Sequence, residues 1–206
     1  MDKKINDYWE LFLNSNSKEE SDEAFASIYF CCVDELVSYG VGMGLDTATG
    51  EDLIHDMFVD LYIKRTRLKK ITSISPYLFR TLRNKSLNLY KKKSRQMDIE
   101  DAQLSFSTKV TVLDSLISDE KKEKIRTAVE ELLDSLTSRQ REVVYLRFMQ
   151  NMEYEDIAAI LDMQVGSVRK LVYRSVSILR KKSVNLENPL VFIAFLSVLA
   201  KQSIGH

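Results

Sequence analysis

The sequence predicts an all-α protein of two small helical domains joined by a linker. Three observations predict it. Glycine and proline are scarce, six and two in 206 residues, and the apolar residues recur at three- and four-residue spacing. A Ser- and Thr-rich stretch near the middle breaks these helical periods. Charge is also segregated. Net charge is zero, yet Leu61 to Met97 hold twelve Lys or Arg and no acid, Asp98 to Asp134 hold ten acids against five bases, and Val165 to Lys182 hold six bases and no acid. Hydrophobic residues are 45% and charged residues 29%, a globular composition long enough for two cores.

Two basic stretches separated by an acidic one suit two nucleic-acid contacts better than a uniformly neutral enzyme. Other classes find little support. Cys31 and Cys32 are adjacent, where a bridge would be strained, and read as small buried side chains in a reducing cytoplasm. "MDKKINDYWELF" lacks the apolar core of a signal peptide. Only His55 and His206 offer imidazole, and no Cys/His spacing suits zinc. There is no phosphate-cradling glycine loop, no G-x-S-x-G and no H-E-x-x-H. No catalytic residue, metal or cofactor is expected.

The first block, residues 1–95, divides into roughly four helices. "SDEAFASIYFCCVDELVSYGVGMG" holds one, ended by the glycines at 40, 42 and 44. In "TGEDLIHDMFVDLYIKR" Thr49 is placed as a cap with Asp52 three residues on, and Leu53, Met57, Leu61 with Ile54, Phe58, Tyr62 form the apolar face. "SPYLFRTLRNKSLNLYKKKSR" starts with Ser75 as a cap and Pro76 at the first helical position; Phe79, Leu82, Ser86 and Leu89 make its seam. Residues 96–118 read as a linker. The second block, 119–183, opens with a helix over "DEKKEKIRTAVEELLDSL". In "TSRQREVVYLRFM" Thr137 and Gln140 form a capping box, and Val143, Val144, Leu146 and Phe148 supply core. In "NMEYEDIAAILDMQ" Tyr154, Ile157, Ala158 and Leu161 share a face. Val165, Val168, Val172, Val176 and Leu179 then fall on one side of a last helix, with Gly166, Lys170, Tyr173, Arg174, Ser177 and Lys181 on the other.

Tyr154 to Leu179 therefore read as a helix-turn-helix, with "DMQV" as the turn, Ala158 allowing a close crossing and Met163 plugging the turn's underside. In such a unit the second helix enters the major groove with its N-terminal outward residues, here Ser167 and Lys170, then Tyr173 and Arg174; Arg169 lies on the flank, toward phosphate. The helix from Glu51 to Lys64 carries Glu51, Asp52, His55, Asp56 and Asp60 on its polar side. Carboxylates beside a histidine could serve acid–base or metal chemistry. The region downstream is all basic, however, and no second carboxylate cluster completes a site. A solvated face or a docking face for a basic partner fits better. The helix from Pro76 to Arg95 carries Arg80, Arg83, Lys85, Lys91, Lys92, Lys93 and Arg95, interleaved with Tyr77, Asn84, Asn88 and Tyr90. Basic groups track phosphates, Asn reads base edges, and the two tyrosines either stack on bases or enter the core.

These features in this order resemble the small extracytoplasmic-function (ECF) group of bacterial sigma factors, which keeps only regions 2 and 4. "GEDLIHDMFVDLY" looks like region 2.2, commonly A-E-D-L-V-Q-E-V-F-x-x-L-W. "PYLFRTLRNKSLNLYKKKSR" is similar to regions 2.3 and 2.4. "LTSRQREVVYLRFMQNMEYEDIAAILDMQVGSVRKLVYRSVSILRK" resembles region 4 nearly end to end. The likeness covers about residues 22–95 and 119–182. It implies a promoter-specificity subunit, not an enzyme. Asp52, His55, Asp56 and Phe58 would dock on core RNA polymerase. Tyr77, Arg80, Arg83, Asn84 and Asn88 would recognise and melt the minus-ten element. Ser167, Arg169, Lys170, Tyr173 and Arg174 would read the minus-35 element. Core RNA polymerase, promoter DNA and an anti-sigma factor are the implied partners. Departures are His55 for Gln, Leu78 for Trp, Asn88 for Asp, Asp162 for the turn Gly and Gln164 for the Ser or Asn cap. Asp162 would then need positive φ, which Asp tolerates better than most. The residues alone also admit a stand-alone helix-turn-helix regulator, which should footprint a palindrome without polymerase, and a magnesium-dependent nucleic-acid enzyme using Asp52 and Asp56.

Residues 184–206 are not explained by the resemblance. Asn188 can cap a helix, Pro189 suits its first position, and Leu190 to Ala200 are apolar except Ser197. That is too short for a membrane span, which needs about twenty residues, and too apolar to leave in water. It is expected to pack, foremost on the chain's own domains, where it could mask a DNA or polymerase surface. Deleting residues 186–206 should then give a soluble monomer that binds core polymerase or promoter more tightly. Self-association through the tail, or capture by an inhibitor, is the alternative, and a dimer interface predicts loss of the dimer by light scattering on deletion. A stable truncation with unchanged affinity and unchanged mass by light scattering refutes masking. A lower melting temperature without a gain in binding marks a core element instead.

Overall fold

The computed structural model describes residues 2–96, 106–107 and 129–184. The apolar tail, most of the expected linker and the start of the helix expected from Asp119 lie outside these. The chain divides into two compact units, residues 1–104 and 105–206. Among the described residues every regular element is helical.

The first unit holds α1 (Asp2–Asn14), α2 (Lys18–Gly42), α3 (Thr47–Ile63), a 3-10 turn (Arg65–Leu68) and α4 (Ile74–Gln96). Four-residue spacing writes its core: Ile5, Trp9 and Phe12 of α1 and Ile28, Cys32 and Leu36 of α2 meet Ile54, Met57, Phe58 and Leu61 of α3 and Leu78, Phe79 and Leu82 of α4. Each such side chain stabilises the fold by about 1.5–3 kcal/mol through burial. Cys32 is thus a core residue and Cys31 half-buried, and neither is in a disulfide. By length and composition α2 could cross a membrane, but it buries its apolar stripe among α1, α3 and α4.

Polar ties close the gaps between these helices. Trp9 Nε1 donates to the Ile71 carbonyl at 2.9 Å. Ser21 is buried; its hydroxyl donates to the Phe12 carbonyl and accepts from Arg65, each at 3.0 Å. Two expected helix starts move. Asp46, not Thr49, caps α3: its carboxylate accepts from the Thr49 N–H at 2.9 Å and the Thr49 hydroxyl at 2.7 Å. A carboxylate three residues earlier is the stronger acceptor for the helix's unpaired donors. Ser75 is not a cap either. α4 begins at Ile74, whose N–H donates to Asn6 Oδ1 at 3.1 Å, and Ser75 is buried. Pro76 still falls in the first turn, where its missing N–H costs nothing. Leu89 is half-buried, so the seam of α4 weakens toward its end.

In the second unit, helical residues 129–134 precede α5 (Ser138–Val144), a π-helical segment (Tyr145–Met149), α6 (Tyr154–Leu161) and α7 (Val165–Val184). The expected capping box is present: Thr137 accepts from the Gln140 N–H, and Gln140 accepts from the Thr137 N–H at 2.9 Å. Val143, Val144 and Leu146 are buried as expected, but Tyr145 takes the place expected of Phe148, which is half-buried. Tyr145 opens the π-helical segment and is buried, and the Phe106 ring meets its ring at a tilt of 58°, centroids 5.4 Å apart. Phe106 falls in the stretch read as linker. It is nevertheless buried, and its N–H donates to Ser138 Oγ at 2.6 Å, so part of that stretch belongs to this unit.

α6 ends at Asp162, which adopts φ 53° and ψ 54°, the left-handed conformation expected of it. Its N–H and that of Met163 both bond to the Ala158 carbonyl. Met163 is half-buried, not the plug expected; Arg139 closes the turn, donating to the Leu161 carbonyl at 2.5 Å while pairing with the buried Glu142 at 3.0 Å. A left-handed residue with a side chain is strained by about 1–2 kcal/mol. Asp162→Val is expected to lower stability by that order, and Asp162→Gly not to lower it. Calorimetry checks this, and equal melting temperatures for the two variants would refute strain at the turn.

Candidate nucleic-acid interface and docking face

α7 sorts its residues by its seam. Val168, Val172, Ser175 and Leu179 are buried, Val165 and Val176 half-buried. Ser175 enters the core because its hydroxyl donates to the Leu171 carbonyl at 2.8 Å. Opposite the seam Ser167, Arg169, Lys170, Tyr173 and Arg174 all face solvent, with Tyr173 77% exposed. A Cβ at Gly166 would meet nothing, so the helix start is unobstructed. Of the five, Arg169 is engaged: it lies 3.3 Å from Glu155 and over the Tyr154 ring. Tyr154, read as a seam residue, is half-buried and lies under the guanidinium groups of both Arg147 and Arg169. Arg147 escaped the sequence reading altogether; only its spacing to Tyr154 across a helix end could have signalled it.

In the first unit, Tyr77, Arg80, Asn84 and Asn88 step along α4 by three and four residues and so share a stripe. Arg80, Asn84 and Asn88 are exposed; Tyr77 and Arg83 are half-buried, and Arg83 is partnered. Lys91 and Lys92 extend the basic face, while Lys93 and Arg95 have side chains outside the described residues. Lys85 turns from it to pair with Asp60 of α3 at 3.3 Å. Tyr90 is half-buried against the α2–α3 turn: a Cβ at Gly44 (φ 90°) would lie 3.0 Å from its hydroxyl. Burial and Asp46 raise its pKa, in that order. Of the two tyrosines, Tyr90 therefore serves the fold.

On α3, Glu51, Asp52, His55 and Asp56 are exposed. Asp60 is bonded to Lys64 at 2.7 Å and to Lys85, which hold its carboxyl below the usual carboxylate range. Phe58 is only 3% exposed, and its ring packs on Phe25 and Tyr29 at 5.8 and 5.0 Å. It forms the floor of a groove of about 420 Å³ between α2 and α3, with Phe30, Val59 and Ile63 at its walls and His55 at its edge. Phe30 and Ile63 are 75% and 71% exposed, an apolar patch the sequence reading missed. The leftover apolar positions on the polar side of α3, Val59 and Ile63, were its signal. Among the described residues no group of three His, Cys, Asp or Glu is placed to hold a metal.

Residues 31–96 match the family described as sigma-70 region 2, and residues 126–179 match sigma-70, region 4. The two matches span more than half of the chain and contain Asp52, His55, Asp56 and Phe58 on α3, the stripe from Tyr77 to Asn88 on α4, and Ser167 to Arg174 on α7. The sigma factor RpoE of Bartonella quintana, solved with the anti-sigma factor NepR, is similar over 80% of this chain and 98% of its own, with 20% identity and a TM-score of 0.59. CnrH, solved with the cytosolic domain of CnrY, is similar over 90% and 99%, with 17% identity and a TM-score of 0.56. At these identities the likeness is one of fold.

Proposed function

The chain belongs to the sigma-70 family, of ECF type, and from that premise we propose how its surfaces divide the work of a promoter-specificity subunit. A sigma factor binds core RNA polymerase and directs transcription initiation through minus-ten and minus-35 recognition; the family consists of transcription factors. Only 29 residues separate the two family matches, so no further domain of the size of either lies between regions 2 and 4. The domain roles follow: 1–95 for polymerase and minus-ten contacts, 119–183 for the minus-35 contact.

The observation that carries the reading is the exposure of Ser167, Lys170, Tyr173 and Arg174 opposite a buried seam, on the second helix of a turn held by Asp162. Lys170 and Arg174 can bond guanine O6 and N7, and Tyr173 can meet a thymine methyl. Arg169, on the flank, meets phosphate. The α4 stripe of Tyr77, Arg80, Arg83, Asn84 and Asn88 serves the minus-ten element, its amides reading unstacked bases whose phosphates the basic groups hold. Asp52, Asp56 and His55 form the polar part of the polymerase dock, and Phe58 supports it as the floor of the apolar groove beside them. An anti-sigma factor, the kind of partner seen with RpoE of Bartonella quintana, would compete for these surfaces. The protein works in the cytoplasm, where polymerase is.

Run-off transcription with core polymerase over a genomic promoter library tests the function and yields the promoter. A palindromic footprint obtained without polymerase, and no transcripts with it, would overturn it. Asp52→Arg with Asp56→Arg is expected to weaken core binding with helical content intact; unchanged co-elution with core enzyme refutes the dock.

The two DNA faces should separate by assay. Lys170→Ala and Arg174→Ala are each expected to weaken duplex binding by roughly 1–3 kcal/mol. Asn84→Ala and Asn88→Ala should spare duplex binding and reduce strand opening, read as permanganate reactivity of promoter thymines. If all four reduce opening only in proportion to occupancy, the division fails.

A further inference from the structure

We propose that Tyr154 and Glu155 govern the phosphate contact of Arg169: Tyr154 as a positioning residue, Glu155 as an internal stand-in for phosphate. The proposal deepens the reading above and rests on it for the meeting of this face with duplex DNA.

Three elements converge on one ring. The guanidinium carbons of Arg147, from the π-helical segment, and Arg169, from the start of α7, lie 4.7 and 5.4 Å from the centroid of Tyr154, the first residue of α6. Two cations against one ring repel unless each is answered. Each is: Glu153 lies 3.3 Å from Arg147 and Glu155 lies 3.3 Å from Arg169. The two pairs differ in kind. Arg147 also donates to the Met152 carbonyl at 2.6 Å and its side chain is only 23% exposed, so it is built into the turn. Arg169 and Glu155 are 61% and 63% exposed, and their separation is longer than a strong charge-assisted bond. That pair is weak and exchangeable.

Phosphate presents the same paired anionic oxygens as a carboxylate and suits a guanidinium at least as well. When DNA arrives, phosphate replaces Glu155 while the ring keeps the guanidinium where it was. An Arg side chain already confined loses less rotamer freedom on binding. The displaced Glu155, left beside the phosphate, opposes the contact. Tyr154 thus raises affinity and Glu155 restrains it. Neither acts on bases, so both effects are uniform across sequences.

The test uses the full chain bound to core polymerase and a promoter duplex recovered by the selection above, titrated with KCl. Tyr154→Leu should weaken binding several-fold and make the slope of log affinity against log salt shallower by about one, the loss of one phosphate contact. Tyr154→Phe, which keeps the ring, should retain both affinity and slope. Glu155→Gln should strengthen binding several-fold at low salt. In an Arg169→Ala background, Tyr154→Leu should add nothing, which a merely structural role would not predict. Additive losses there, an unchanged slope for Tyr154→Leu, or unchanged or weaker binding by Glu155→Gln overturns the proposal while the DNA reading stands. If Arg169→Ala itself changes neither affinity nor slope, the proposal and the phosphate role of Arg169 both fall.

Discussion

At Asp162 the backbone turns left-handed, and the reading face of the second unit depends on that one residue. α6 must stop and α7 must start within three residues, or Val168 and Val172 could not return to the seam of Ile157, Ala158 and Leu161. A left-handed residue reverses the chain in that space. Its own N–H and that of Met163 fold back on the Ala158 carbonyl, and Arg139 takes the Leu161 carbonyl that the helix end leaves open. With the seam so committed, helical periodicity leaves Ser167, Lys170, Tyr173 and Arg174 no direction but outward. Glycine would meet the same demand with less strain. Asp meets it with a short polar side chain that remains in water, exposed beyond the helix end.

What could be read in the sequence was what is local. The Thr137–Gln140 box and the positive φ at Asp162 appear where residues three or four apart placed them. The seams of α3 and α7 do so in the main, except that Tyr62 is exposed, Leu53, Val165 and Val176 are half-buried, and Ser175 is buried. The start of α4 was misplaced because its first N–H is taken by Asn6, 68 residues away, on a helix the pattern did not single out. The start of α3 was misplaced for a different reason: two acceptors compete within four residues, and the carboxylate of Asp46 takes the donors, including the Thr49 hydroxyl. The role of Tyr154 was half legible. Its spacing to Ile157 and Leu161 marks it as inward, but only the fold brings Arg147 and Arg169 to its ring. Likewise Phe30 and Ile63 belong to helices that are apolar on more than one side, and nothing in periodicity says that these outer positions meet in a groove.

Charge pairing sharpens the candidate faces. Five polar residues lie on the outer side of α3, yet Asp60 is drawn to Lys64 and Lys85 and ties α3 to α4. With its pKa lowered in the fold, this tie stabilises above the ordinary carboxylate range and is lost as pH falls through the lowered value. Being exposed to water, it contributes little. Outside that tie Glu51, Asp52, His55 and Asp56 stay exposed next to apolar walls, a mixture of charge and greasy surface that suits a protein partner better than solvent. On α4 the same pairing removes Lys85 from the DNA face and leaves Arg80, Lys91 and Lys92 free of Asp60.

The zero net charge sums unlike segments: 30 basic and 30 acidic side chains, with ten of the acids between Asp98 and Asp134. Nonspecific attraction to DNA scales with the phosphates a protein can neutralise and with the field of the whole chain. In the first unit Asp60 pairs with Lys64 and Lys85, and in the second Glu155 pairs with Arg169, so part of the basic charge is answered within each unit. Under the proposed contacts, phosphate on Arg169 would displace its internal anion, and the charge of Arg169 would then serve DNA alone. On the proposed division of labour, two DNA contacts and one protein contact act in a single assembly, and linking them raises the hold on a promoter above that of either DNA face by itself.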